Sequence, residues 1–182
     1  MQDSTLVPRL LLGLAGWPRP AWRGGYFPDD LPPDWELAYY ANEADCLCLR
    51  ATQWLDLVNM PGGECLDGLA PYFRFYLELP PGGAPRELPD PGGRLGALLV
   101  QDFCDLPGNA RQLKREAGGY WVDSQGVARL ARWEYVAGQL RGLRERLQQL
   151  PGTVEAVILE GDDLDPGDLE EVRTLAALLG VA

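Results

Sequence analysis

Five short apolar runs constrain the fold of this chain more than any other feature of its sequence. They are spaced along the whole length, and most of them are apolar on both faces of a strand, which is typical of strands in a sheet that is covered on both sides. Segments with helix-like character separate several of the runs, an order that favours a parallel sheet flanked by helices. The predicted strands are residues 10–16, 45–51, 72–79, 95–100 and 154–159.

Three helices are predicted between and after these strands. Residues 33–43 begin with prolines and acids, and residues 126–150 carry apolar side chains at intervals of three and four up to Pro151. The last helix, residues 166–179, has Asp165 as its N-cap and an acidic first turn. We predict loops at residues 52–71 and 80–93 and assign no element to the polar stretch 102–120.

The 182 residues are predicted to form a single domain, residues 1–182. A closed barrel of eight parallel strands with eight helices normally takes about 250 residues. The sequence therefore predicts an α/β fold in which about five mainly parallel strands form a partial or open TIM-barrel-like sheet flanked by helices.

Composition excludes several classes of function. The chain has no histidine, which removes histidine-based catalysis and histidine metal sites, and Lys114 is its only lysine. A net charge of −11 disfavours binding to the phosphate backbone of a nucleic acid. No apolar run approaches the roughly 20 residues that a membrane helix needs. We predict no cofactor, no nucleic acid and no membrane partner.

Four cysteines and the leader bear on the compartment. Residues 1–17 contain a short apolar run but have Asp3 in place of a basic region, so we do not interpret them as a signal peptide. A chain without a secretion signal tends to keep its thiols reduced, which predicts a cytoplasmic protein. Cys46 and Cys48 lie two residues apart on one strand face, where two thiolates could begin a metal site, but burial in an apolar strand is the favoured explanation.

The N-terminal quarter resembles the start of the DUF72 (YecE-like) family. The family pattern is a glycine-rich strand that ends in Gly-Trp, then Trp-x-Gly, Tyr-Pro and a helix that carries Tyr-Tyr-Ala. The matching residues are Gly13-Leu14-Ala15-Gly16-Trp17, Trp22-Arg23-Gly24, Tyr26-Phe27-Pro28, Leu31-Pro32 and residues 35–41, and weaker similarity continues at residues 72–75, 95–100 and 157–160. The resemblance implies a TIM-barrel-type fold and an unassigned activity.

The chain departs from the family pattern in two places. Its second strand reads Cys46-Leu47-Cys48-Leu49-Arg50 where the family has Val-Glu-Ile-Asn, so the family carboxylate is missing. It also ends where family members would continue into a sixth strand, which predicts a truncated barrel. An open sheet edge is a template for pairing, and we therefore predict a homodimer.

Candidate site residues lie where the predicted strands end, because sites in parallel sheets form at the carboxyl ends of their strands. Glu160, together with Asp102 or Glu78, could act as an acid/base pair. For Glu160, which ends a buried strand, Arg50 is the predicted charge partner. Core packing explains most of the aromatic residues, with Trp22 in its glycine-rich loop as the predicted exception. The predicted ligand-binding residues are Trp17, Trp22, Arg23, Arg50, Gln53 and Gln101.

Two functions remain open at this stage. The favoured prediction is a non-catalytic or vestigial barrel that acts as a binding or assembly module for an unknown small molecule. The alternative is a hydrolase that uses strand-end carboxylates on a sugar or a phosphoester. Two carboxylates facing one another across a pocket would favour the enzyme, whereas carboxylates paired with arginines would favour the binding module.

Overall fold

The computed structural model describes residues 9–17, 19–58, 66, 68–80, 91–106, 108 and 110–181. Eight strands and four α-helices are found in these residues. The strands are β1 (Leu11–Ala15), β2 (Cys46–Leu49), β3 (Arg74–Glu78), β4 (Leu95–Val100), β5 (Gln112–Arg115), β6 (Tyr120–Val122), β7 (Ala128–Glu134) and β8 (Ala156–Glu160). The helices are α1 (Glu36–Tyr40), α2 (Ala51–Val58), α3 (Leu140–Gln148) and α4 (Asp168–Leu178).

The eight strands close into a barrel in which each strand pairs with its neighbour in the sequence. Closure is made by β1, which lies parallel to both β2 and β8, with Leu11 opposite Ala156. The pairs β2–β3, β3–β4, β4–β5 and β7–β8 are also parallel. In contrast, β6 is antiparallel to both β5 and β7. The sheet is therefore mixed and has no open edge.

This architecture corrects the predicted fold class. The protein is a closed, eight-stranded mixed barrel with few helices, and the expectation of an open or partial α/β sheet of the TIM-barrel type is wrong. The argument from length fails because antiparallel neighbours need only a tight turn, whereas parallel neighbours need a crossover of a dozen or more residues. Four residues join β5 to β6 and five join β6 to β7. Short connections thus allow 182 residues to close the barrel.

The helix predictions have mixed outcomes. The helix at residues 166–179 is confirmed as α4, although its N-cap is Gly167 and the predicted N-cap Asp165 is wrong. Residues 33–43 form a 3₁₀ turn, Pro33–Trp35, followed by the short α1. The long helix at residues 126–150 is wrong, because its first half is β7 and only its second half is helical, in α3. Gly138 interrupts the segment with a φ of +77°, a left-handed conformation that a continuous helix does not contain.

Part of the loop predictions is wrong, and part lies outside the described residues. Residues 51–58 form α2 inside the predicted loop 52–71, so that part of the prediction is wrong. Residues 59–65 with Cys65, residue 67, and residues 81–90 of the predicted loop 80–93 lie outside the described residues. None of the helices in the described part of the chain combines the length and the apolarity needed to cross a membrane.

Side chains alternate between the barrel interior and an outer layer under the helices. The outer layer is the larger core, and it includes Leu12, Leu14, Leu47, Phe75 and Val157. Inside the barrel, β1 and β2 approach so closely that a Cβ atom on Gly13 would lie 2.0 Å from the Cys46 carbonyl oxygen. The buried interior residues are Ala15, Cys46, Cys48, Tyr76, Ala97, Leu99, Leu113, Trp121, Leu130, Ala156 and Ile158.

Candidate functional site

A cleft of about 1040 Å³ opens at one mouth of the barrel, where the parallel strands have their carboxyl ends. Side chains from the ends of β3, β5, β7 and β8 and from the segments after β2 and β4 line it. Its polar lining consists of four arginines, three glutamates, two glutamines and a threonine. These are Arg50, Arg115, Arg132, Arg146, Glu78, Glu134, Glu160, Gln101, Gln149 and Thr52.

A network of four charged side chains, Arg50, Glu78, Arg132 and Glu160, spans this mouth. Arg132 on β7 donates from Nε and Nη2 to the two carboxylate oxygens of Glu160, at 3.0 and 2.9 Å, and its Nη1 donates to Glu78 Oε1. Arg50 donates from Nη2 to Glu160 Oε1 at 2.9 Å. One guanidinium therefore holds both carboxylates, and the four charges sum to zero.

Burial strengthens this network. The Arg132 side chain is only 11% exposed, against 28% for Glu78 and 29% for Glu160. Burial alone would raise the pKa of Glu160, but the hydrogen bonds from Arg132 and Arg50 hold it below its usual value. Burial alone would likewise lower the pKa of Arg132, yet its anionic partners raise it. Glu160 is thus ionised and paired at neutral pH.

Two more arginines lie at the rim of the cleft, and neither forms an ion pair with a carboxylate among the residues that the structure describes. Arg115, at the end of β5, is exposed and has no ion pair with any residue that the structure describes. Arg146 on α3 donates to the backbone carbonyl of Glu134 at 3.1 Å, and its guanidinium lies 5.8 Å from the ring centroid of Trp133. Within the described residues, neither guanidinium is paired with a carboxylate.

The inner wall of the cleft is apolar. Leu99 and Trp121 are buried within the barrel and reach the cleft from β4 and β6. Tyr120 packs edge-on against Trp133 with the ring centroids 6.3 Å apart, and the Trp133 indole donates to the carbonyl of Gly118 at 3.1 Å. Cys48 lies below Arg132, and burial raises the pKa of its thiol to about 12, so this thiol is unreactive.

The structure brings four of the predicted site residues together. Glu78, Glu160, Arg50 and Gln101 all line the cleft, and the predicted pairing of Glu160 with Arg50 is confirmed. Gln53 stands behind Arg50 and accepts a hydrogen bond from its backbone N–H at 2.9 Å. The sequence therefore places these four residues at one mouth of the barrel, where the structure brings them together.

The other predicted site residues lie elsewhere. Asp102 points to solvent, 86% exposed, and pairs with Lys114 at 3.0 Å. Trp17 is buried in the outer core, and Arg23 forms an ion pair with Glu36. Trp17, Arg23 and Asp102 are not among the residues that line the cleft.

The predicted exposure of Trp22 is wrong. Its ring is only 3% exposed and stacks on Tyr40 with the centroids 5.8 Å apart. Its indole N–H donates to the carbonyl of Leu164 at 2.8 Å. The aromatic N-terminal quarter is therefore a packed core, because large rings bury more surface than any other side chain.

Sequence reasoning misses the central residue of the site, Arg132, as well as Arg115, Trp121 and Arg146. All four lie between residues 102 and 150, where three strands were not recognised. A period-two pattern was present, because Leu130, Arg132 and Glu134 alternate with Ala131 and Trp133. Interpreted as a strand, this pattern places Arg132 on the inward face beside Leu130.

No three cysteine, aspartate or glutamate side chains in the described ranges converge in a way that could hold a metal ion. Comparison with known proteins finds no matching family model, no matching curated protein and no matching solved structure. The resemblance to the DUF72 family stays a prediction from the motifs quoted above.

Proposed function

We propose that this protein is a non-catalytic binding module whose small-molecule ligand occupies the cleft at the mouth of the barrel. The observation that carries the proposal is the double engagement of Arg132 by Glu78 and Glu160. Both carboxylates that would serve a hydrolase are held as charge partners of one arginine. They act as a rigid polar frame around the entrance.

The electrostatics of Glu160 argue against the hydrolase alternative. A carboxyl group that protonates a leaving group needs a raised pKa, as in glycosidases. Arg132 and Arg50 instead hold the pKa of Glu160 below its usual value. Asp102, the other predicted acid, lies outside the cleft and pairs with Lys114. Of the three predicted acids, Glu78 and Glu160 are therefore engaged by Arg132, and Asp102 lies outside the cleft. None of the three is placed to act as a general acid.

The dimensions and lining of the cleft support binding. Small-molecule sites in proteins are concave, occupy roughly 300–1,000 Å³ and combine apolar walls with a few fixed polar groups. This cleft, at about 1040 Å³, has the apolar wall of Leu99 and Trp121 and the frame centred on Arg132. The mouths of barrels are a recurrent location for such sites.

Binding can be mapped by NMR with a library of small fragments. We expect hits to shift the indole N–H signals of Trp121 and Trp133, which line the cleft. Gln101→Trp should narrow the cleft and remove these shifts. Asp102→Trp is the matched control. The Asp102 side chain, next to Gln101 in the chain, points to solvent, so a tryptophan at this position should leave the shifts intact.

Two results would overturn the proposal. The first is a library that shifts no cleft signal in the wild type, or shifts it equally in Gln101→Trp. The second is turnover of p-nitrophenyl glycosides or phosphoesters by the purified protein that is lost in Glu160→Gln. The second result would restore the hydrolase.

We also propose that the protein forms a homodimer and is located in the cytoplasm. The earlier reason for a dimer, an open sheet edge, no longer applies to a closed barrel, and the remaining support is Leu178 on α4, which is 80% exposed. Sedimentation of the wild type and of Leu178→Glu tests the dimer, and a concentration-independent monomer would contradict it.

The proposed cytoplasmic location is supported by the buried thiols of Cys46 and Cys48, which suit a reducing compartment.

A further inference from the structure

We infer that the ligand of this cleft is a small organic anion: an apolar body that carries a carboxylate or a phosphate. The inference rests on the proposed function and names its ligand class. The chain has a net charge of −11, with 27 acidic and 16 basic residues. The lining of the cleft reverses this balance, with four arginines and three glutamates.

The excess positive charge lies at the rim. Within the cleft lining, Arg50 and Arg132 are matched by Glu78 and Glu160, so this part of the cleft is neutral. Outside that network, the described lining holds two arginines, Arg115 and Arg146, and one acidic residue, Glu134. An incoming anion therefore meets two guanidinium groups that no carboxylate in the described part of the chain engages.

The placement of these arginines gives the anion a position relative to the body of the ligand. Arg115 extends from the end of β5 and Arg146 from α3, while the apolar wall formed by Leu99 and Trp121 lies deeper. An apolar body in contact with this wall would keep a charged group at the rim, where guanidinium groups bind carboxylate or phosphate oxygens in pairs. Arg146 is held in place by its contacts with Trp133 and with the Glu134 carbonyl.

A pair of fluorescent probes separates charge from apolarity. The anionic probe is 8-anilinonaphthalene-1-sulfonate, and the neutral probe is N-phenyl-1-naphthylamine, which has the same rings without the sulfonate. We expect the wild type to bind the anionic probe about tenfold more tightly, the scale of one charge-assisted contact. Equal affinity for the two probes, or tighter binding of the neutral one, would overturn the inference.

Charge-removing variants assign the preference to the rim. Arg115→Gln and Arg146→Gln should each weaken binding of the anionic probe about three- to tenfold and leave the neutral probe unchanged. Arg141→Gln is the matched control, because it removes the same charge from α3 at a side chain that is 96% exposed. If the control weakens the anionic probe as much as Arg146→Gln does, long-range charge explains the binding and the inference falls.

Displacement of the anionic probe shows whether the charged group of the ligand is a phosphate or a carboxylate. Displacement by 1-naphthyl phosphate or by 1-naphthoate supports the inference, and the more potent of the two identifies the anion. Failure of both compounds to displace the probe contradicts it. These failures leave the NMR fragment mapping untouched, so an error in the ligand class can be told apart from an error in the proposed function.

Discussion

Replacing Arg132 by methionine tests the central feature of the site. The change keeps most of the side-chain volume but removes the guanidinium that donates to both oxygens of Glu160 and to Glu78. Glu160 keeps one hydrogen bond, from Arg50. Glu78 loses its ion pair, and two partly buried negative charges then face each other across the mouth of the barrel.

The size of the effect follows from the exposure of the three groups. Breaking a fully buried pair costs about 3–5 kcal/mol, whereas exposed pairs contribute about 0.2–1 kcal/mol. Arg132 is 11% exposed and the carboxylates are 28% and 29% exposed, which lies between these limits. We expect Arg132→Met to lower the free energy of unfolding by about 2 kcal/mol at pH 7, equivalent to a fall in Tm of about 4–8 °C.

The loss should depend on pH. In the folded protein the pKa of Glu160 lies below its usual value of 4.5, so its pairing stabilises the fold above pH 4.5. That contribution disappears as the pH falls through the lowered folded value. Arg132→Met has already lost the part that comes from Arg132, so the difference in unfolding free energy between variant and wild type should shrink as the pH falls below 4.5.

Urea titrations followed by tryptophan fluorescence at pH 7 and at pH 3.5 measure both effects. Arg141→Met is the control and should stay within about 0.5 kcal/mol of the wild type, since Arg141 is 96% exposed. The double variant Arg132→Met, Glu78→Gln should recover at least half of the loss, because it neutralises the carboxylate that the first change leaves without its ion pair. A change of less than about 0.5 kcal/mol for Arg132→Met at pH 7, or a loss that does not vary with pH, would refute the reasoning.

Three further predictions concern the frame around the site. Tyr40→Phe should cost about 1–3 kcal/mol in urea titrations, because the buried hydroxyl bridges the backbones of β1 and β2 at 2.9 and 2.8 Å; an unchanged midpoint would contradict this. Gly119→Ala should lower Tm more than Gly126→Ala does: both glycines have positive φ, but a Cβ at residue 119 would lie 2.4 Å from the Arg132 carbonyl oxygen, and one at residue 126 meets nothing. The Cys48 thiol, with its pKa raised to about 12 by burial, should resist a disulfide reagent at pH 8 until urea unfolds the protein, as judged by mass spectrometry.

Five of the eight strands, β1 to β4 and β8, could be predicted from the sequence because the signal for each is local. A run such as residues 156–160 is apolar on both faces, and contiguous residues are enough to show that it must be covered on both sides. The end of each strand then indicates where polar side chains gather. This reasoning placed Glu160 beside Arg50, two residues that lie 110 positions apart in the chain, and the structure confirms their contact.

The prediction is wrong where a helical and a strand periodicity overlap in the same residues. Apolar residues at positions 127, 130 and 133 fit a helix, yet the same stretch also alternates as a strand does. The tertiary structure decides in favour of the strand because β8 is a parallel partner for residues 130–134 of β7, from Leu130 opposite Ala156 to Glu134 opposite Glu160. Backbone hydrogen bonds to a neighbour that is distant in sequence outweigh a weak local preference.

The sequence by itself determined five of the eight strands, their apolar character and the polar or charged residues at their ends. Only the tertiary structure decided that the sheet closes, because closure depends on the register between β1 and β8, at opposite ends of the chain. It also decided the pairing of the carboxylates. Arg132 lies 54 residues from Glu78 and 28 from Glu160, and only the curvature of a closed barrel brings the three together.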